Sequence, residues 1–223
     1  AAAVELSAPI LLIGGGTFLI FLFFHWLFLE KKNYGIYGEE YIQSKGVWFF
    51  AIVSVVLSAI VWFALKENPF MAFSAVVGST AFFITHGFKE NAAEQEKHLM
   101  DKKKTDLSKI FYLEVIDATF SIDGVLGAFA FTLSVPLILI GNGLGAIVLR
   151  QVTVSNVEKI KKYKYLKNGA MYSILFLGSF MLLDSFGFHI PHWASPTVTF
   201  AAIGFFFWKS KRAMKKGEMR QKI

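Results

Sequence analysis

The chain has 223 residues and a net charge of +7, with 55% hydrophobic and 17% charged residues, and its mean hydropathy is positive. Soluble domains are about 45–50% apolar and about 25% charged, so this composition excludes an ordinary soluble domain and indicates an all-α, polytopic transmembrane helical bundle. The absence of cysteine excludes disulfides, thiolate metal ligands and cysteine nucleophiles. Oxygen and imidazole donors remain, which suit hard cations such as Mg, Ca or Mn.

In chain order, hydropathy predicts seven spans, at 9–29, 47–65, 69–88, 110–133, 134–151, 168–186 and 195–208. Together they form a single transmembrane domain over 1–223, because no long polar stretch could build a second core. The chain opens Ala-Ala-Ala-Val-Glu-Leu, with none of the basic flank of a signal peptide, and an upstream N-terminal segment is therefore expected. Asn68-Pro69 opens the third span, Pro136 separates the fourth from the fifth, and Pro191 and Pro196 bracket a turn. The segment 89–109, rich in Lys, Glu and Asp, reads as a solvated helix or linker.

The basic residues decide the orientation. With the N-terminus outside, the segments 30–46, 89–109 and 150–167 and the tail from 209 fall on one side and hold 22 of the 23 Lys and Arg, leaving only Lys66 on the other. By the positive-inside rule that side is cytoplasmic, with N-terminus out and C-terminus in; the membrane expected is a bacterial inner membrane. The runs at 102–104 and 159–167 are then topogenic, with anionic headgroup contact as a secondary effect, and nucleic acid is excluded as a partner. Trp26, Trp48 and Trp208 near cytoplasmic ends, and Trp62 and Trp193 near external ones, make an interfacial belt.

The fourth span is the informative one. It reads Ile-Phe-Tyr-Leu-Glu-Val-Ile-Asp-Ala-Thr-Phe-Ser-Ile-Asp-Gly from Ile110, and places Glu114, Asp117 and Asp123 in an otherwise apolar stretch. Its twelve Leu, Ile, Phe and Val residues return about 4–7 kcal/mol on insertion against about 8–10 for three acids. Such a helix needs neighbours or a polar cavity, and the default reading is an ion or proton pathway. On a continuous helix Glu114, Asp117 and Ser121 share one face while Asp123 points about 180° away from Glu114. Either another helix covers Asp123 or the helix is interrupted near it, freeing carbonyls as ligands in the manner of transporter midplane sites.

The fifth span adds Asn142, whose amide oxygen lies at a similar depth. Its neighbours Gly141, Gly143 and Gly145 lack the strand–turn–helix context of a dinucleotide fingerprint and suit close helix packing. Thr119 and Thr132 offer further hydroxyls but read as packing residues. His189, His192 and Asp184 fall in or beside an external turn, His25 and His86 near cytoplasmic ends where they reach the interface, and Arg150 within reach of an ion pair with Glu114.

At 111–130 the sequence resembles the TerC/Alx-type integral membrane proteins of the lysine-exporter superfamily, in their C-terminal portion. The resemblance extends to Gly14-Gly15-Gly16-Thr17, to Gly143–Arg150 with Thr153, and to Tyr165-Leu166 with Gly169, Ala170 and Tyr172. It implies export of a divalent cation, chiefly manganese; acids buried in a span hold protons readily, and proton exchange through the same carboxylates is expected to drive it. The metal set is then Glu114, Asp117 and Asp123, with Asn142 and Ser121 as neutral donors, and no cofactor is bound permanently. The resemblance also implies a second acidic motif on an earlier helix, which the first three spans do not supply, so the chain carries half a site. The competing expectation is a non-transporting subunit or assembly factor, or a homo-oligomer, whose partners are other membrane proteins. An enzyme is not expected: intramembrane aspartyl proteases need aspartates on facing helices, and here the mid-membrane ones share a helix.

Overall fold

The computed structural model describes residues 7–99, 128, 134–191 and 193–220. Every regular element among them is helical, as the sequence predicts: α1 (Ala8–Phe28), α2 (Glu39–Ser44), a 3-10 turn (Gly46–Trp48), α3 (Phe49–Glu67), α4 (Pro69–Leu99), α5 (Val135–Lys161), α6 (Leu166–Ser185) and α7 (Ala194–Arg220). Four apolar segments are long enough to cross a membrane: 8–28, 46–67, 69–87 and 166–185. At 1.5 Å per residue their 19–22 residues extend about 29–33 Å, matching a hydrocarbon core of about 30 Å. These four coincide with predicted spans one, two, three and six. Predicted span five corresponds to the shorter apolar run 135–148 of α5, span seven to the first half of α7, and 110–133, apart from residue 128, lies outside the described residues.

α1 is the hub. It is apolar all round and largely buried, with α4 and α6 packed on it, α7 on α6 and α3 on α4. A helix apolar on every face belongs inside a bundle. By contrast, α3 buries only Phe49, Val53, Ile60 and Ala64, one stripe at helical spacing, and turns Phe50, Val55, Trp62 and Phe63 outward. In water such a surface would drive association; in a bilayer it is the lipid-facing side.

Close approach at two crossings is what requires glycine. A Cβ on Gly78 of α4 would stand 2.1 Å from the Gly14 carbonyl oxygen of α1, and one on Gly16 would stand 3.0 Å from the Gly178 carbonyl oxygen of α6. Beside the first crossing, Ser74 donates to the Ile10 carbonyl. Among the described residues nothing lies within 4 Å of a Cβ built on Gly141, Gly143 or Gly145, the positions where close helix packing is expected. Among the described residues the small-residue role falls to the Gly14–Gly16 run of α1, the helix the others surround.

The two ends of the bundle are built differently. At one end the links are local: Asn68 Oδ1 accepts the Phe70 N–H at 2.9 Å ahead of α4, whose first residue is Pro69, and Gly187 (φ 81°) closes α6 with its N–H on the Asp184 carbonyl. At the other end the segment 29–45 folds back over the helix ends. The sequence assigns this segment to a surface loop, yet it carries the α2 helix and one of the most buried side chains of the protein, Glu39.

Candidate functional site

The chain leaves α1 with unsatisfied carbonyls, and Lys32 supplies their donor. Its ammonium donates to the Trp26 carbonyl at 3.0 Å and to that of Leu27, and lies 4.5 Å over the Trp26 ring. A cation at a helix C-terminus complements the macrodipole. Burial pulls the Lys32 pKa below its usual value of 10.5, a shift that Glu39 and Glu30 oppose by stabilising the charge. Trp26 is fully buried against Phe23 and Tyr172, which corrects its assignment to the interfacial belt. Trp48, Trp62, Trp193 and Trp208 are exposed, as that belt requires.

Three residues on, Gly35 lies where a Cβ would come within 2.7 Å of the Phe206 ring and 2.8 Å of Asn168 Nδ2. Gly38 (φ 99°) then turns the chain into α2 and swings Glu39 inward. The Glu39 carboxylate, 1% exposed, accepts the Gly35 N–H at 2.7 Å, the Tyr172 hydroxyl at 2.9 Å and the Asn168 amide at 3.1 Å. Asn168 also donates to the Asn33 carbonyl at 3.0 Å. From α7, Lys209 donates to the Gly35 carbonyl, and Ser210 Oγ accepts the Tyr165 N–H at 2.9 Å. One buried carboxylate thus ties α2 and the preceding loop to α6, and Lys209 ties the same loop to α7. A buried charge is tolerable only with such partners.

Beside this lock lies a line of titratable groups. His25 of α1 and His86 of α4 face each other with ring centroids 3.6 Å apart, Phe82 stacked on His86 and Phe49 edge-on to His25. Glu30 Oε1 is 4.0 Å from His25 Nδ1, and its other oxygen takes the Lys167 ammonium. His25 is buried and does not reach the interface as its sequence position suggested, because α4 packs across it. These groups cluster at the end of the bundle where α1 runs out.

The predicted ligands Glu114, Asp117, Ser121 and Asp123, with Thr119 and Thr132, lie outside the described residues, as does His192. Asn142 is half-buried on α5, and Asp184 and His189 are exposed, as expected of a solvated turn. Among the described residues no three His, Asp or Glu side chains converge as a metal site. Sequence reasoning missed Glu39, whose partners Asn168 and Tyr172 lie 129 and 133 residues away. The available signal was the Gly35-x-x-Gly38-Glu39 run, two glycines just ahead of an acid.

Comparison with known proteins gives the family. The family model that matches, over residues 3–217, is described as a protein of unknown function, DUF475. Relatives include the uncharacterized membrane protein YceF of Bacillus subtilis (strain 168), 32% identical over 83 residues, 37% of this chain and 32% of that protein. Another is the uncharacterized membrane protein RP786 of Rickettsia prowazekii (strain Madrid E), 23% identical over 175 residues, 76% of this chain and 59% of that protein. The chain therefore spans about a third and about three fifths of these relatives. No solved structure matches. These matches overturn the TerC/Alx-type assignment: another family's model covers nearly the whole chain, and neither relative carries that name. An acidic apolar run flanked by small residues specifies a kind of membrane helix, and the resemblance built on it was not specific to one family. The chain is an integral membrane protein and belongs to the DUF475 family.

Proposed function

We propose that the chain forms the membrane part of a transporter that moves a small hard cation across a bilayer in exchange for protons. The observation that carries this reading is the sequence of 110–133, which sets Glu114, Asp117 and Asp123 in an apolar stretch amid helices long enough to span a membrane. Acids in a span are costly, and the reading gives them a reason to be there. A carboxylate in that setting is neutralised either by a proton or by a cation, so alternation between the two is a transport cycle. Ser121 and Asn142 add neutral oxygens, and an oxygen-only set suits Mg, Ca or Mn. His86, His25 and Glu30, clustered at the end that bears Lys167, are further groups able to exchange protons in this reading. That end is cytoplasmic in this reading, and the membrane is the bacterial inner membrane.

The test is flux into proteoliposomes, with one dye for the divalent cation and another for internal pH. Asp123→Asn combined with Glu114→Gln abolishes both the cation signal and the opposing proton signal while insertion persists. Unchanged cation flux in the double variant overturns the proposal.

A further inference from the structure

The chemistry of α7 changes at one point. Phe205, Phe206, Phe207 and Trp208 end its apolar half, and Lys209, Lys211, Arg212 and Lys215 begin its basic half. At this junction lies a cavity of about 430 Å³ lined by Tyr165, Phe205, Trp208, Lys209, Arg212 and Ala213. Among the described residues its two charged members are both cations, and no carboxylate lines it.

The cations are held in place. The Lys209 ammonium donates to the Gly35 carbonyl and sits 5.7 Å over the Tyr165 ring, which leaves two of its three N–H groups for another acceptor. The Arg212 guanidinium lies 5.4 Å over the Trp208 ring, so its donors are fanned out beside the cavity instead of sweeping through solvent. Tyr165 is fixed to α7 by its N–H on Ser210 Oγ. Below the cations, Phe205 and Trp208 are about half exposed and continue the apolar half of the helix toward the hydrocarbon.

We infer that this cavity is a binding site for the headgroup of an anionic phospholipid drawn from the surrounding bilayer. The phosphate and the negative charge meet Lys209 and Arg212, and the first carbons of the acyl chains lie along Phe205 and Trp208. Charge complementarity selects against cations, and the apolar floor at membrane depth favours a lipid over a soluble phosphate. Basic pockets between membrane helices are recurrent headgroup sites. Lys209 also holds the 29–45 segment through Gly35, so an occupied cavity stiffens the bundle end at which Glu39 is locked.

The experiment is native mass spectrometry of the full chain, delipidated in detergent and titrated with phosphatidylglycerol or phosphatidylcholine. One phosphatidylglycerol is retained per chain in preference to phosphatidylcholine, and Arg212→Gln weakens its retention about fivefold, the order expected for one cation near a headgroup. Lys211→Gln removes an exposed charge of the same helix that does not line the cavity, and leaves retention unchanged. Arg212→Gln acts at an exposed position outside the Glu39 lock, so loss of retention is not loss of fold. Equal retention of the two lipids, or equal losses from Arg212→Gln and Lys211→Gln, would overturn the inference. So would displacement of phosphatidylglycerol by inorganic phosphate at matched concentration, which assigns the site to free phosphate.

Discussion

Replacing Glu39 with alanine tests whether the basic end of the bundle is held by a buried carboxylate. The substitution leaves the Gly35 N–H and the Tyr172 hydroxyl without their acceptor, while Asn168 keeps the Asn33 carbonyl. Each orphaned buried donor costs about 1–3 kcal/mol. Against this, the variant no longer buries a charge, which returns part of the loss. A net destabilisation of about 2–4 kcal/mol follows, or roughly 4–16 °C in unfolding temperature for a chain of this size. Glu39→Gln keeps one acceptor but turns an amide N–H₂ toward donors, so it falls between alanine and the native residue. Combining Glu39→Ala with Tyr172→Phe costs less than the two single changes added together, by about 1–2 kcal/mol, because both remove the same hydrogen bond. The assay is thermal unfolding in detergent micelles, with limited proteolysis of the 29–45 segment as the local readout. Glu40→Ala is the control, since its side chain is exposed and its loss stays within about 0.5 kcal/mol. If Glu39→Ala and Glu40→Ala unfold at the same temperature and are cleaved at the same rate, the lock does not exist.

Three further predictions concern packing and charge. Gly78→Ala drives a methyl group into the Gly14 carbonyl, and thermal unfolding shows a loss of at least about 1–3 kcal/mol. Gly143→Ala instead stabilises by about 0.5–1 kcal/mol, since its Cβ meets open space on a helix and glycine there carries only an entropic cost. Lys32 has a depressed pKa in the folded chain, so between that value and 10.5 the unfolded chain retains a proton the folded chain has released. By linkage, stability rises with pH across that window. Unfolding followed from neutral pH upward shows this rise in the native chain, and Lys32→Met removes it.

Hydropathy and turn chemistry made the frame legible. The spans at 8–28, 46–67, 69–87 and 166–185 follow from uninterrupted apolar runs of membrane length, and the Asn68-Pro69 junction marks its boundary because proline can only begin a helix there. Depth within the bundle was not legible. Trp26 and Trp208 have the same composition-based claim on the interface, yet one is fully buried and the other is exposed. What separates them is which helix is surrounded, a property of the packing order around α1 that no local pattern encodes. His25 was misplaced for the same reason. Glu39 escaped notice because a carboxylate in a charged, tyrosine-rich loop is ordinarily solvated, and donors that bury it come from α6.

The positive charges at this end of the bundle make specific contacts as well as adding to its charge. Topogenesis requires only that Lys and Arg lie on one side of the membrane, whatever they touch. Lys32, Lys167 and Lys209 go further: they cap α1, pair with Glu30 and hold the Gly35 carbonyl. Exposed Lys31 and Lys211 can satisfy topogenesis as well as these three, but cannot replace them in the lock. The opposite end carries no comparable interlock among the described residues and is closed by local turns at Asn68 and Gly187. Away from the lock the helices are held by close packing, at the Gly14–Gly78 and Gly16–Gly178 crossings, and by the Ser74 hydroxyl on the Ile10 carbonyl.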